Sequence, residues 1–293
     1  MLLPCLLQCH RIHRVGERCN QNNRHLYWPL LETGDFDLVK PWFAMYVHAL
    51  PLAKDRTEAY YHHGGAIFIE TINFWGLPTL NDFGWDNKTD VVQSPFMRYH
   101  TQGSLEVVAQ MLDQYDLTQD AAFAREQLVT FADAILTYYA EHWKTDDTGK
   151  LRFFPSQSIE TYQVDATNPT SDIAGLYTAA HRLLDLPQSL TLAAQRSHWR
   201  KLLAKLPPLS MGTTDNGKLP PFGKGDPDGK PEILPALLYG KTKNIENPEL
   251  YTVFPIASTV SASPICSSHA IPMLRASFRS TTAGDRTVRR HRS

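Results

Sequence analysis

Between Cys19 and Cys266 the sequence has no cysteine, and the whole 293-residue chain carries four: Cys5, Cys9, Cys19 and Cys266. So sparse a set, three of them crowded at the start, excludes a disulfide-built scaffold. Cys5, Cys9, His10, His13 and Cys19 do cluster, but their spacing fits no common zinc pattern. No metal and no other cofactor is therefore expected. Long apolar runs are missing too: none approaches the roughly 20 residues of a membrane span, so no membrane association is expected. Charge of one sign is also lacking. With 29 Lys and Arg against 30 Asp and Glu, the net charge of -1 disfavours a general nucleic-acid or anionic-membrane binder. The opening run Met1–Leu7 is broken by Pro4 and followed by no small-x-small cleavage site, so it makes no convincing signal peptide. Lysine disappears beyond Ile256, where Ser, Thr, Ala and Arg take over and Arg289-Arg290-His291-Arg292 closes the chain. Composition thus separates an unpacked leader, 1–19, from a folded domain, 20–256, and a disordered tail, 257–293.

What the middle does have is helical periodicity. After Asp35 or Asp37, Leu38, Trp42, Met45, Tyr46 and Ala49 recur three or four apart, and Pro51 either kinks that helix or starts the next, which carries on towards Tyr61. His62-His63-Gly64-Gly65 ends the run. A long loop follows, roughly to His100, and holds Glu70, Asn73, Trp75 and Trp85. Its aromatic content argues against disorder, and loops of that length are usually functional. Leu105, Val108, Ala109, Leu112 and Tyr115 then form one apolar face, and Phe123, Leu128, Phe131, Ala132, Ile135, Tyr138 and Tyr139 the next. Two more helices span 173–184 and 190–203. Short turns between amphipathic helices give antiparallel hairpins, so the expected class is all-α with long loops at one end. Residues 206–256, rich in Pro, Gly, Asp and Lys, read as loop with short helical pieces.

One stretch points to chemistry. Phe154-Pro155-Ser156-Gln157-Ser158-Ile159-Glu160-Thr161 breaks from an apolar run into small polar residues and leaves Glu160 alone among neutral neighbours. A lone carboxyl on a loop is either an ordinary solvated side chain or, if desolvated, a general acid of raised proton affinity. A helix then starts near Thr170, Ser171 or Asp172, each a suitable N-cap.

The segments NQNNRHLYWP (20–29), FIETINFWG (68–76), FPSQSIET (154–161), NPTSDIAGL (168–176) and ENPELYTVFP (246–255), in that order, resemble the six-hairpin glycosidase superfamily. Within it the chain is similar to bacterial relatives of the inverting alpha-L-fucosidases and alpha-galactosidases of glycoside hydrolase family 95. The resemblance implies a carbohydrate substrate and an (α/α)6 toroid whose loops surround a sugar pocket. It implies Glu160 as general acid, with Ile159 and Thr161 replacing the family's Pro and Asn on either side. Asn20 and Asn22 match the asparagines that hold the attacking water. Glu70 and Asn73 fall on a substrate-contacting His and Asp, both changed, ahead of Trp75-Gly76. Glu232 matches a further pocket loop, and Trp28, Trp75 and Trp85 would wall the pocket. The family's basic aspartate comes from a helix well beyond the VFP segment. Here that place is taken by a tail whose only acid is Asp285. The toroid is therefore expected to be partial, the chain truncated or frame-altered, and catalysis lost if the base-bearing segment is missing. The family implies an extracellular or periplasmic setting. Two other readings remain open: a non-catalytic carbohydrate-binding remnant, or a polysaccharide lyase using Tyr60, Tyr61, His62 or His63 as base.

Overall fold

The computed structural model describes residues 17–73, 98–213 and 231–254, apart from the side chains of 17–22, 71, 73, 164, 165, 213, 231 and 232. Trp75, Trp85, Asp285, the Cys5–His13 cluster and the proposed tail lie outside the described residues. In chain order the elements are β1 (Glu17–Cys19), α1 (Asn20–Thr33), α2 (Phe36–Tyr61), β2 (Thr71–Asn73), α3 (Gly103–Thr118), α4 (Ala121–Phe123), a π-helical turn (Ala124–Leu128) and α5 (Val129–His142). There follow β3 (Ser156–Ser158), β4 (Tyr162–Pro169), α6 (Thr170–Asp185), a 3-10 turn (Gln188–Leu190), α7 (Ala193–Lys205), β5 (Met211–Thr213), β6 (Pro231–Ile233), β7 (Ala236–Leu238) and a 3-10 turn (Pro248–Thr252). The protein is mostly helical, with a little antiparallel sheet.

The apolar stripe of α2 buries Val39, Trp42, Phe43, Tyr46, Ala49, Leu50 and Ala53. The face differs from the sequence expectation by about one residue: Leu38 is exposed, and Val39 and Phe43 take its place in the core. Of the two alternatives for Pro51, the helix runs through it to Tyr61, at the cost of one i→i−4 hydrogen bond. His62 then ends α2 in the left-handed conformation (φ 58°), its N–H donating to Glu58 C=O at 3.0 Å. The loop beyond passes unusually close to α5, where Ala66 N–H donates to Ala134 C=O at 2.9 Å. A Cβ on Gly65 (φ +86°) would lie 2.2 Å from Tyr138 N, so only glycine fits there.

At the centre lies α3, buried on nearly every side and packed on α1, α2, α5 and α6. A helix enclosed all round normally reads as apolar all round. This one carries Glu106, Gln110 and Gln114 into the interior, where each must find partners. Gln110 does so by accepting from Trp42 Nε1 at 2.8 Å.

The sheet elements depart from the sequence reading. The 154–161 stretch is a tight antiparallel hairpin, not an open loop: β3 pairs with β4, and β4 continues onto β7 through Thr167↔Leu238 and Pro169↔Ala236. Within 206–256, β5 pairs with β6 (Gly212↔Glu232) beside the expected helical turn. Residues 17–19, read as leader, pair with 71–73 as β1–β2. The N-cap of α6 is Pro169, with no side-chain cap. Thr170 and Asp172 are spent elsewhere: the Thr170 hydroxyl donates to Leu234 C=O, and Asp172 accepts from Thr101 Oγ1 at 2.8 Å and Tyr139 OH at 2.7 Å.

Candidate active site

Glu160 stands in the turn of the β3–β4 hairpin, and its neighbour fixes the turn. Ile159 adopts φ 45°, an uncommon conformation for a β-branched residue, and is fully buried against Tyr251. With Ile159 pinned inwards, the next side chain must leave the turn on another side. Glu160 is half-buried, and Asn244 Nδ2 donates to its Oε2 at 2.9 Å. Burial raises its carboxyl above the usual range, while the Asn244 hydrogen bond and the Arg24 charge pull it back.

Arg24 links this turn to the first helix. It lies on α1, one helical turn after Asn20, and is 6% exposed. Its Nε is 2.7 Å from Glu106 Oε2, and its Nη2 donates to Tyr251 OH at 2.8 Å. Glu106 also accepts from Gln102 Nε2 one turn earlier on α3. Burial pushes the Glu106 carboxyl up to about 7 in spite of Arg24. Glu70 sits 1% exposed with Oε2 3.9 Å from His100 Nδ1. Burial, and then the Arg24 charge, push His100 down to about 4, so the ring is neutral at pH 7 and this contact is not an ion pair. Glu246, in the segment before the last 3-10 turn, also lies in the field of Arg24 and is raised by burial. Arg24 is thus the common cation of a cluster that holds Glu70, Glu106, Glu160 and Glu246.

The structure brings Glu160, Glu70 and the helix that begins with Asn20 and Asn22 to one electrostatic neighbourhood. The side chains of Asn20, Asn22, Asn73 and Glu232 lie outside the described residues; their backbones fall on α1, β2 and β6. Trp28 is 7% exposed, its ring 5.5 Å from that of Phe254, so most of its surface belongs to the core. Arg24 and Glu106 went unnoticed in the sequence. A glutamate flanked by Leu105, Val107 and Val108 on a wholly buried helix is the signal that marks such a residue.

Tyr61, His63 and His142 form a second polar group at the ends of α2 and α5. His63 Nε2 lies 2.9 Å from His142 Nδ1, and burial followed by the His63 charge push His142 down to about 4. A cavity of about 440 Å³ beside it is lined by Lys54, Asp55, Glu58, His63, Asp133 and Thr137, among others. It shares no lining residue with the Glu160 cluster. Among the described residues, no group of three or more His, Cys, Asp or Glu is placed to hold a metal ion, and no helix is long and apolar enough to cross a membrane.

Comparison with known proteins places these residues in a family. The model of the glycosyl hydrolase family 95 catalytic domain matches residues 17–228, a stretch that contains Arg24, Glu70, Glu106 and Glu160. No curated protein matches. Among solved structures, the chain is similar to one described as a kojibiose phosphorylase from human microbiome, with 12% identity and a TM-score of 0.43. That match covers 56% of this chain and 24% of the other.

Proposed function

The chain belongs to the family of glycosyl hydrolase family 95 catalytic domains, and on that premise we propose that it cleaves a glycoside by inverting general acid/base hydrolysis. Residues 20–256 would form a partial (α/α)6 toroid, with 257–293 as a tail. Glu160 donates its proton to the leaving oxygen as the glycosidic bond breaks. Asn20 and Asn22, at the start of α1, orient the water that attacks the opposite face of the ring. Trp28, Glu70, Asn73, Trp75 and Glu232 contact the sugar. Amide oxygens direct a water but take up no proton, so turnover needs a basic carboxylate as well, and a chain lacking the segment that bears it would hold the sugar without cleaving it. In the family resemblance that carboxylate comes from a helix beyond Pro255.

The observation that supports this reading is the state of Glu160. It is half-buried, raised by desolvation, and held by a hydrogen bond from Asn244 in the field of a cation on α1. A general acid needs a raised proton affinity and must still be reachable, and desolvation in a half-buried turn acts in that direction without closing off the carboxyl. The test is release of sugar and aryl alcohol from a panel of aryl glycosides, with the first-formed anomer read by NMR. The inverted anomer, lost in Glu160→Gln, is expected. A retained anomer, or turnover unaffected by Glu160→Gln, overturns the mechanism. Saturable sugar binding with no turnover would instead identify a binding remnant.

A further inference from the structure

Asn244 meets the Glu160 carboxyl at one oxygen, and its own surroundings fix which end of its amide does so. Ile245 N–H donates to Asn244 Oδ1 at 2.8 Å. A backbone N–H can only donate, so the atom facing it is the amide oxygen and the NH2 end is left for Glu160. Asn244 Nδ2 donates to Glu160 Oε2 at 2.9 Å. The chains on either side are tied together without using the Asn244 amide or the Glu160 carboxyl. Lys243 N–H donates to Thr161 C=O at 2.8 Å, and Thr161 Oγ1 donates to Glu246 C=O at 2.9 Å. Ahead of Glu160 the turn is anchored as well: Ile159 is buried against Tyr251, and the Ser158 hydroxyl donates to Pro235 C=O at 2.6 Å. Among the described residues, no hydrogen bond reaches Glu160 Oε1.

From this geometry we propose that Asn244 is a positioning residue of the hydrolytic site: by donating to Oε2 it reserves that oxygen as an acceptor and assigns the acidic proton of Glu160 to Oε1. The inference rests on the hydrolase reading above. In a protonated carboxyl one oxygen carries the hydrogen and the other is a carbonyl acceptor. The oxygen that accepts from the amide is the carbonyl one, so the hydroxyl stands at Oε1, free to donate elsewhere. As the glycosidic bond breaks, the proton passes from Oε1 to the leaving oxygen, and Glu160 is left as a carboxylate. Asn244 then donates to a full negative charge, which strengthens its bond, and neither side chain has to turn. The charged groups that face Glu160 are Arg24 of α1, which favours the carboxylate, and Glu246, whose own carboxyl the Glu160 charge raises. Arg24 is bound to Glu106 and Tyr251, so the direct hydrogen bond to the Glu160 carboxyl falls to Asn244.

Two NMR measurements on the full isotope-labelled chain test this without any need for turnover. The first follows the Asn244 side-chain amide from about pH 3 to about pH 9, beside the Glu160 carboxyl carbon. One Nδ2 proton is expected to shift with the Glu160 midpoint and to stay displaced from the free-amide position at both ends of the titration. Glu160→Ala should remove the displacement. A displacement that disappears at low pH would place the proton on Oε2 and overturn the proposal. The second reads the Glu160 midpoint in Asn244→Ala. Loss of a donor that favours the carboxylate should raise it by about 0.5–1 pH unit, a modest shift because the contact is half-exposed. An unchanged midpoint overturns the proposal too. If Asn244→Ala does not fold, the wild-type amide titration decides alone. Hydrolysis by a protein whose Asn244 amide ignores the Glu160 titration would defeat only this inference. A bond kept at both ends of the titration in a chain that hydrolyses nothing would defeat only the hydrolase reading.

Discussion

Neutralising Glu106 should make the protein relatively more stable at high pH, although it removes half of a buried ion pair. Glu106 is fully enclosed, and Arg24 Nε approaches it to 2.7 Å. Desolvation outweighs that attraction, and the carboxyl rises from the ordinary 4.5 to about 7. Between those two values the native state keeps a proton that the unfolded chain has released. Raising the pH through that window therefore favours unfolding. At about 1.4 kcal/mol for each pH unit, the wild type should lose about 3 kcal/mol between pH 4.5 and 7 through this one group. His100 works in the opposite direction: its pKa is depressed, so the unfolded chain binds the extra proton between about pH 4 and 6.5, and stability rises with pH there. Asp172, pushed up to about 6 by burial, adds to the Glu106 trend. The clean quantity is thus the difference between wild type and Glu106→Gln, in which the other groups cancel. Urea unfolding of both proteins from pH 5 to 8 measures it. The variant is expected to gain about 2.5 kcal/mol on the wild type across that range. A difference that stays constant with pH would show that Arg24 holds Glu106 ionised throughout, and would refute the reasoning.

Gly65→Ala should destabilise the protein by about 3 kcal/mol or more, because a positive φ and a 2.2 Å approach to the backbone of Tyr138 act together; thermal unfolding reads this directly. Tyr139→Phe removes a donor at 2.7 Å from buried Asp172 and should cost about 1–2 kcal/mol, more at pH 8 than at pH 5, since the lost bond favours the ionised carboxyl. At Ile159, where φ is 45°, Ile159→Gly should be more stable than Ile159→Ala by about 1 kcal/mol, the reverse of the order in ordinary backbone. Equal midpoints for those two variants in urea would show that the turn is not strained.

The helices were legible because their signal is local. The three- and four-residue spacing around Trp42 and Tyr46, and from Phe131 to Tyr139, needs only neighbours in sequence, and α2 and α5 follow it. The hairpin around Glu160 was not legible. Ser156-Gln157-Ser158 has no apolar alternation, yet all three residues are buried, and Ser156 and Ser158 pair across to β4. Asp172 misled for a related reason. Its type suits an N-cap, but Thr101 and Tyr139, both distant in sequence, compete successfully for its oxygens. In the candidate site, Glu160 stood out as a lone carboxyl in a polar break. Arg24 sits among the amides and aromatics of 20–29 and Glu106 beside an apolar face, and neither has a local signal of its role. Their pairing spans 82 residues and exists only once α1 and α3 pack. Glu246 opens a motif that carried the family resemblance, but nothing in its neighbours in sequence places it against Glu160.

The central claim, that Glu160 supplies the proton to the leaving oxygen, is tested most directly by leaving-group dependence. Wild type and Glu160→Gln would be compared on aryl glycosides of one sugar, from 2,4-dinitrophenyl to an unactivated alcohol. A departing dinitrophenolate needs no proton, so the loss there should be small, growing to about 100-fold or more for the poorest leaving group. A loss of equal size across the whole series would mean that Glu160 serves binding or folding and not proton donation.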